Sequence, residues 1–152
     1  MMNRIFISCA LVFSLGLLSA CSSFDRQWKE AASGKEGLTR WDGVWKSGKN
    51  VYVNGAYHHG RLRCVLAAQP DKKLKAYFHA NWLMFSGNYD MTLQPVAAGP
   101  RRKDPGDYEG THELPAMFGG TYHYRATIAG DHFEAKYTCQ IDQGIFELRR
   151  VR

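Results

Sequence analysis

From Trp41 onward, apolar and polar residues alternate with a period of two. Along Asp131 to Ile141, Phe133, Ala135, Tyr137, Cys139 and Ile141 share one face, while His132, Glu134, Lys136, Thr138 and Gln140 share the other. That is the pattern of a half-buried strand. Thr121 to Ile128 alternates likewise, with Tyr122, Tyr124, Ala126 and Ile128 on one side. Three further strands are predicted at Arg61 to Ala68, Leu74 to Trp82 and Phe85 to Val96. Shorter ones are predicted at Gly43 to Ser47, Asp107 to Leu114 and Ile145 to Arg150. Gln69-Pro70-Asp71, Ala129-Gly130-Asp131 and Asp142-Gln143-Gly144 supply turn residues between them. A Gly130-Asp131 turn of type II′ would pair Ile128 with Phe133 and Tyr124 with Tyr137. An Ala129-Gly130 turn would instead set Arg125 against Glu134, a favourable cross-strand charge pair. Both registers keep the same faces inward.

About eight strands in sequence, joined mostly by short turns and with one polar face each, point to an all-β, antiparallel, up-and-down barrel. Closure removes the unpaired edges that an open sheet would expose. A β-sandwich is the alternative. The inward set contains Phe78, Trp82, Phe85, Tyr89, Tyr122, Tyr124, Phe133, Tyr137 and Phe146, interleaved with Ala76, Ala80, Gly87, Ala126 and Ala135. An eight-stranded barrel either fills with side chains or holds one small ligand. Large and small residues can interdigitate into a solid core, whereas buried tyrosine hydroxyls need partners that water or an amphipathic ligand could supply. Tyr89, Tyr122, Tyr124 and Tyr137 are therefore the candidate ligand-binding residues. Gly43-Val44-Trp45 opens the first strand and Arg149-Arg150 closes the last, which resembles calycins (lipocalins, fatty-acid-binding proteins and avidins). The resemblance implies a calycin-like barrel in which Arg150, on the face of Phe146 and Leu148, covers the Trp45 indole.

The 152-residue chain begins differently. Arg4 is followed by an uncharged run from Ile5 to Leu18, shorter than the roughly 20 residues of a membrane span and suited to a secretory signal. The run ends Leu18-Ser19-Ala20-Cys21, which resembles the bacterial lipobox. That resemblance implies cleavage before Cys21, a diacylglyceryl group on its thiol and acylation of the freed amine. Two or more acyl chains anchor a protein stably, where one chain binds only marginally. Ser22 in place of aspartate implies, by the same family analogy, sorting to the outer membrane. The expected organisation is a signal peptide over 1–20, a lipidated tether over 21–39 and a barrel domain over 40–152.

In the tether, Phe24, Trp28, Ala31 and Ala32 fall on one face of a short helix. Such a turn or two could lie on lipid headgroups with Trp28 at the interface. The simpler expectation is a partly ordered linker that, fully extended, spans at most about 60 Å. The net charge of +6 favours contact with anionic surfaces but is too small for a nucleic-acid footprint. No nucleic-acid partner is expected.

Cys64 and Cys139 remain as an even pair in an oxidising compartment. Bonded, they would close a loop of roughly 75 residues and contribute about 4.5 kcal/mol on a chain-entropy account. Three strand steps separate them around an eight-stranded ring, which puts the Cα atoms beyond about 7 Å unless the barrel is flattened. Both the disulfide and a pair of buried thiols remain open.

Catalytic patterns are weak. Gly43 to Lys49 matches G-x-x-x-x-G-K, but Asn50 stands where Ser or Thr should follow and a strand replaces the helix. Six histidines show no zinc-site spacing. His79, His112, His123 and His132 are expected on polar faces. Asp107, Glu109 and Glu113 share one strand face, whereas a glycosidase needs carboxyls across a cleft. No metal, cofactor or catalytic group is expected. Arg101-Arg102-Lys103 lies in a loop between Gly99-Pro100 and Pro105-Gly106, suited to anionic headgroups or simply solvated. The expected function is that of an outer-membrane-anchored lipoprotein facing the periplasm. Its barrel is expected to bind a small amphipathic ligand or serve an envelope-structural role without catalysis. The alternative is a protein-interaction module, such as a lysozyme inhibitor, that engages an envelope or host protein through Gly48 to Gly60 or Ala97 to Gly106.

Overall fold

In the computed structural model, which describes residues 23–48, 58–82, 85–97 and 106–152 (apart from the Trp82, Phe85 and Phe118 side chains), the alternating segments form eight strands. They are β1 (Leu38–Ser47), β2 (His58–Ala68), β3 (Leu74–Trp82), β4 (Phe85–Pro95), β5 (Asp107–Glu113), β6 (Thr121–Ala129), β7 (His132–Thr138) and β8 (Gln143–Val151). Each pairs antiparallel with its chain neighbours, and β8 returns to β1, closing an up-and-down barrel. A sandwich is excluded.

The β6–β7 hairpin turns at Gly130-Asp131, pairing Ile128 with Phe133 and Tyr124 with Tyr137. Gly130 holds φ at 60°, the conformation that the first central residue of a II′ turn requires and that glycine adopts without strain. Two strand limits differ from the sequence reading. β1 starts at Leu38, so Trp41 joins the inward face and is buried. β7 ends at Thr138 because the Cys139 N–H donates to the Asp142 carbonyl at 2.9 Å and turns the chain. Cys139 and Ile141 therefore leave the inward face, and Ile141 is exposed.

The barrel has a base, where the chain enters at Leu38 and leaves at Val151, and a mouth, where β1, β3, β5 and β7 end. A plug of aromatic rings fills the middle. Phe78 lies 5.6 Å from Phe146 and 6.4 Å from Phe133, and Trp41 meets Phe133 edge-on at 5.8 Å. Leu66, Met91, Leu93 and Leu148 are buried in the same core. Gly43 is needed at the β1–β8 seam, since a Cβ there would collide with the Glu147 carbonyl. Outside, the Arg61 guanidinium grips Asp42 with two bonds of 3.0 and 2.5 Å and holds that carboxyl below its ordinary range.

Residues 23–32 form a helix, α1, and it is docked rather than free. Phe24 is only 1% exposed and stacks on His79 of β3 at 5.3 Å. The Arg63 guanidinium sits 5.5 Å from the Phe24 ring and 5.3 Å from Trp28, and Arg40 covers Trp28 at 5.5 Å. Burying one such phenylalanine stabilises by about 1.5–3 kcal/mol, and each cation–π contact adds roughly 0.5–1 kcal/mol at partly exposed sites. The expected linker is thus corrected: the apolar stripe of the helix packs on the outer wall of β1–β3. Gly34 and Gly37, at φ 79° and 78°, then turn the chain into β1.

Candidate functional site

The alternation that builds the walls aims six polar aromatic side chains into the mouth. β1 brings Trp45, β4 brings Tyr89, β5 brings His112, β6 brings Tyr122 and Tyr124, and β7 brings Tyr137. They line a cavity of about 390 Å³ whose floor is the Phe146 and Leu62 side of the aromatic plug. Its volume is that of a small-molecule site.

The packing around the cavity depends on small residues placed opposite large ones. Gly144 pairs with Tyr137, and a Cβ on Gly144 would fall inside the tyrosine ring. Gly110 faces Tyr124, and Gly60 faces Trp45. Gly87 breaks this rule: nothing lies within 4 Å of where its Cβ would stand. Its partner on β3 is Ala80, so two small residues stand side by side where the cavity opens. The paired register of β4 and β5 covers Gln94↔Glu109 and Pro95↔Tyr108, and nearer the mouth side chains join the two strands. His112 occupies that seam, hydrogen-bonded to the Asp90 backbone and 5.5 Å from the Tyr89 ring.

The tyrosine rings pack against one another at a tilt, with Tyr122 5.6 Å and Tyr124 5.7 Å from Tyr137. Tyr124 and Tyr137 are buried, while Tyr89 and Tyr122 are half-buried. Their hydroxyls find protein partners. Tyr137 donates to Asp142 Oδ2 at 3.1 Å and is bonded by Ser47. Tyr89 bonds Tyr124, and Tyr122 bonds the Cys139 thiol. The hydroxyls therefore need no ligand to be satisfied; the unfilled element is the apolar space between the rings. Burial raises all four phenols well above their ordinary value, helped at Tyr137 by the nearby Asp142 carboxylate. They are neutral donors with flat apolar faces. Burial pushes the His112 imidazole below its ordinary value, against the raising influence of Asp90 and Glu113.

His112 was expected on a polar face, and the structure corrects this. The alternation that turns Asp107, Glu109 and Glu113 outward turns His112 inward, a parity legible in the sequence. Arg150 is likewise corrected. It lies opposite Trp41 and is exposed, while Trp45 lies opposite Phe146 and donates its indole N–H to the Asn81 carbonyl at 3.0 Å. Cys64 and Cys139 are both free thiols, Cys64 buried on β2 and Cys139 half-buried beyond β7. Burial raises the Cys64 thiol, which makes it inert. His58, His59, His123 and His132 are exposed, and no metal-holding cluster occurs among the described residues. Cys21, Arg101, Arg102 and Lys103 lie outside the described residues, as do most of the Gly48 to Gly60 and Ala97 to Gly106 loops.

Two other recesses are less suited to a small molecule. One of about 530 Å³ at the base is bordered by residues 34–39 and by Trp41, whose indole N–H already donates to Thr39 Oγ1 at 2.9 Å. One of about 920 Å³ lies on the outer wall over β4–β7 among Glu109, His123, Arg125 and Lys136, a solvated polar surface. Compared with known proteins, the chain matches no family model and no curated protein sequence.

Proposed function

We propose that this protein is a lipid-anchored barrel of the cell envelope, held on the periplasmic side of the outer membrane through Cys21, that binds a small amphipathic ligand without catalysis. A barrel alone does not specify a function, so the reading rests on the site. The single observation that carries it is the cavity of about 390 Å³ beside Gly87, walled by tyrosine rings. Flat apolar faces with phenol and indole groups at their edges suit a ligand that has an apolar body and one hydrogen-bonding end. The anchor reading is supported by Leu18-Ser19-Ala20-Cys21 after an uncharged run. The binding reading without chemistry is supported by phenols that stay protonated and a Cys64 thiol that is buried.

Native mass spectrometry of the full chain purified from its own membranes tests the ligand, with the neutral probe N-phenyl-1-naphthylamine as a second readout. We expect a retained small molecule and probe fluorescence, both lost by roughly tenfold or more in Gly87→Phe, which places a ring in the vacant volume. Probe binding unchanged by Gly87→Phe, or absent in the parent chain, would overturn the cavity reading. Cell fractionation of Cys21→Ser tests the anchor; undiminished membrane association would overturn it.

A further inference from the structure

The connections at the two ends of the barrel carry different residues. Those at the base read Gln69-Pro70-Asp71-Lys72-Lys73 and Ala129-Gly130-Asp131, and the β4–β5 connection contains Arg101-Arg102-Lys103. Two of the four at the mouth read Leu114-Pro115-Ala116-Met117-Phe118 between β5 and β6, and Cys139-Gln140-Ile141-Asp142 between β7 and β8; the other two, Lys49 to Tyr57 between β1 and β2 and Leu83-Met84 between β3 and β4, lie outside the described residues. Among the described residues the exposed large apolar side chains are Leu114, Met117, Ile141 and the wall residue Val44; Met117 is 79% and Ile141 61% exposed. Leu114 and Met117 belong to the β5–β6 connection, and Ile141 of the β7–β8 connection lies alongside it, since a Cβ at Gly119 would stand 3.2 Å from Ile141 Cγ1. Connections are ordinarily polar, and an exposed apolar cluster marks a contact surface.

The start of the described chain indicates what covers it. Phe24, in the first turn of α1, packs at the level of Arg63 and His79, whereas Ala31 and Ala32 lie beside Arg40, Asp131 and Arg152 at the base. The helix therefore begins nearer the mouth than it ends. Cys21 precedes its first residue by two positions, a reach of about 7 Å on an extended chain. An acyl anchor at Cys21 would thus hold the barrel close to the bilayer with its apolar end nearer the lipid and its charged end away.

We propose that the mouth is a membrane-contacting tip, in which Leu114, Met117 and Ile141 rest in the interfacial layer of a phospholipid bilayer and the tyrosine cavity opens toward the lipid surface. This rests on the lipid-anchor reading and adds an orientation to it. A lipid molecule leaving the bilayer would then enter the cavity without crossing water.

The test uses the acylated full chain in phosphatidylethanolamine–phosphatidylglycerol vesicles doped with brominated phosphatidylcholine. An environment-sensitive dye is attached in Met117→Cys, in Ile141→Cys and, as the base control, in Gln69→Cys, each with Cys139→Ser; the buried Cys64 thiol stays unlabelled. We expect a blue shift and loss of fluorescence at positions 117 and 141 and neither at 69. Equal emission at all three positions, or quenching confined to 69, overturns the tip. Vesicle flotation keeps the two readings apart. If the chain floats only with Cys21 intact but positions 117 and 141 are unquenched, the anchor stands and the tip falls. If Cys21→Ser floats equally and those positions are quenched, the anchor falls and the tip stands. A chain that does not float overturns both.

Discussion

The base and the mouth of the barrel are built from the same eight strands and differ in their inward residues. Toward the base, Leu66, Met91, Leu93, Leu148 and Phe133 are buried, with Trp41 capping the aromatic plug. Aliphatic branches and rings form one buried cluster there, and the recess of about 530 Å³ at the base lies on its Trp41 and Leu66 side. Toward the mouth, flat rings with polar edges replace the branches. Tyr122, Tyr124 and Tyr137 pack against one another at a tilt, and Gly144 makes room for Tyr137. Gly87 makes room for nothing, and there the interior is hollow. One end of the interior holds the fold together, and the other spends little stability and keeps a shaped space.

Substitutions at the two ends should therefore separate cleanly. The largest effect is expected for Phe133→Ala, which leaves a void in the closed half and should lower the unfolding free energy by about 3–5 kcal/mol in urea titration. Tyr122→Phe at the mouth should cost about 1 kcal/mol or less, since it removes one partly exposed hydrogen bond. Equal losses would erase the distinction. Next comes Gly144→Ala, which drives a methyl group into the Tyr137 ring and should destabilise by about 1–3 kcal/mol. Combined with Tyr137→Leu, it should cost clearly less than the sum of the two single changes. Gly87→Ala should sit within about 0.5 kcal/mol of the parent, because its Cβ meets only open space.

The smallest effect concerns pH. His112 has a folded-state pKa below its ordinary 6.5, so the unfolded chain binds its proton first as pH falls. Its contribution is fully present above the ordinary value and is lost as pH drops through the lowered one. Asp90 and Glu113 oppose this shift and Lys75 reinforces it, while the facing Tyr89 stays neutral. The urea midpoint of the parent should fall further between pH 7.5 and pH 5 than that of His112→Gln. Identical pH profiles would mean that the seam between β4 and β5 does not sense the imidazole.

Much of the wall was legible in the sequence, and the reasons for the misses are physical. β1 was read too short because its inward face carries Thr39, Gly43 and Ser47, which dilute the apolar signal around Trp41 and Trp45. β7 was read too long because Cys139 and Ile141 continue the alternation past the point where the Asp142 carbonyl turns the chain. The α1 stripe of Phe24, Trp28, Ala31 and Ala32 was visible, but its receptor is Arg63 and His79, residues far along the chain that only strand pairing brings side by side. Of the site, the four tyrosines were found by parity. His112 follows the same parity and was missed because histidine reads as polar.

The sequence by itself determined the strands and most of their faces, and narrowed the β6–β7 turn to two choices that the structure resolved, because alternation and turn chemistry act between near neighbours. Only the tertiary structure decided that Arg150 meets Trp41 and not Trp45, that α1 docks, and that the tyrosines of β4, β6 and β7 share one hollow. Those outcomes depend on register accumulated around a closed ring, a sum over every seam that no single segment contains.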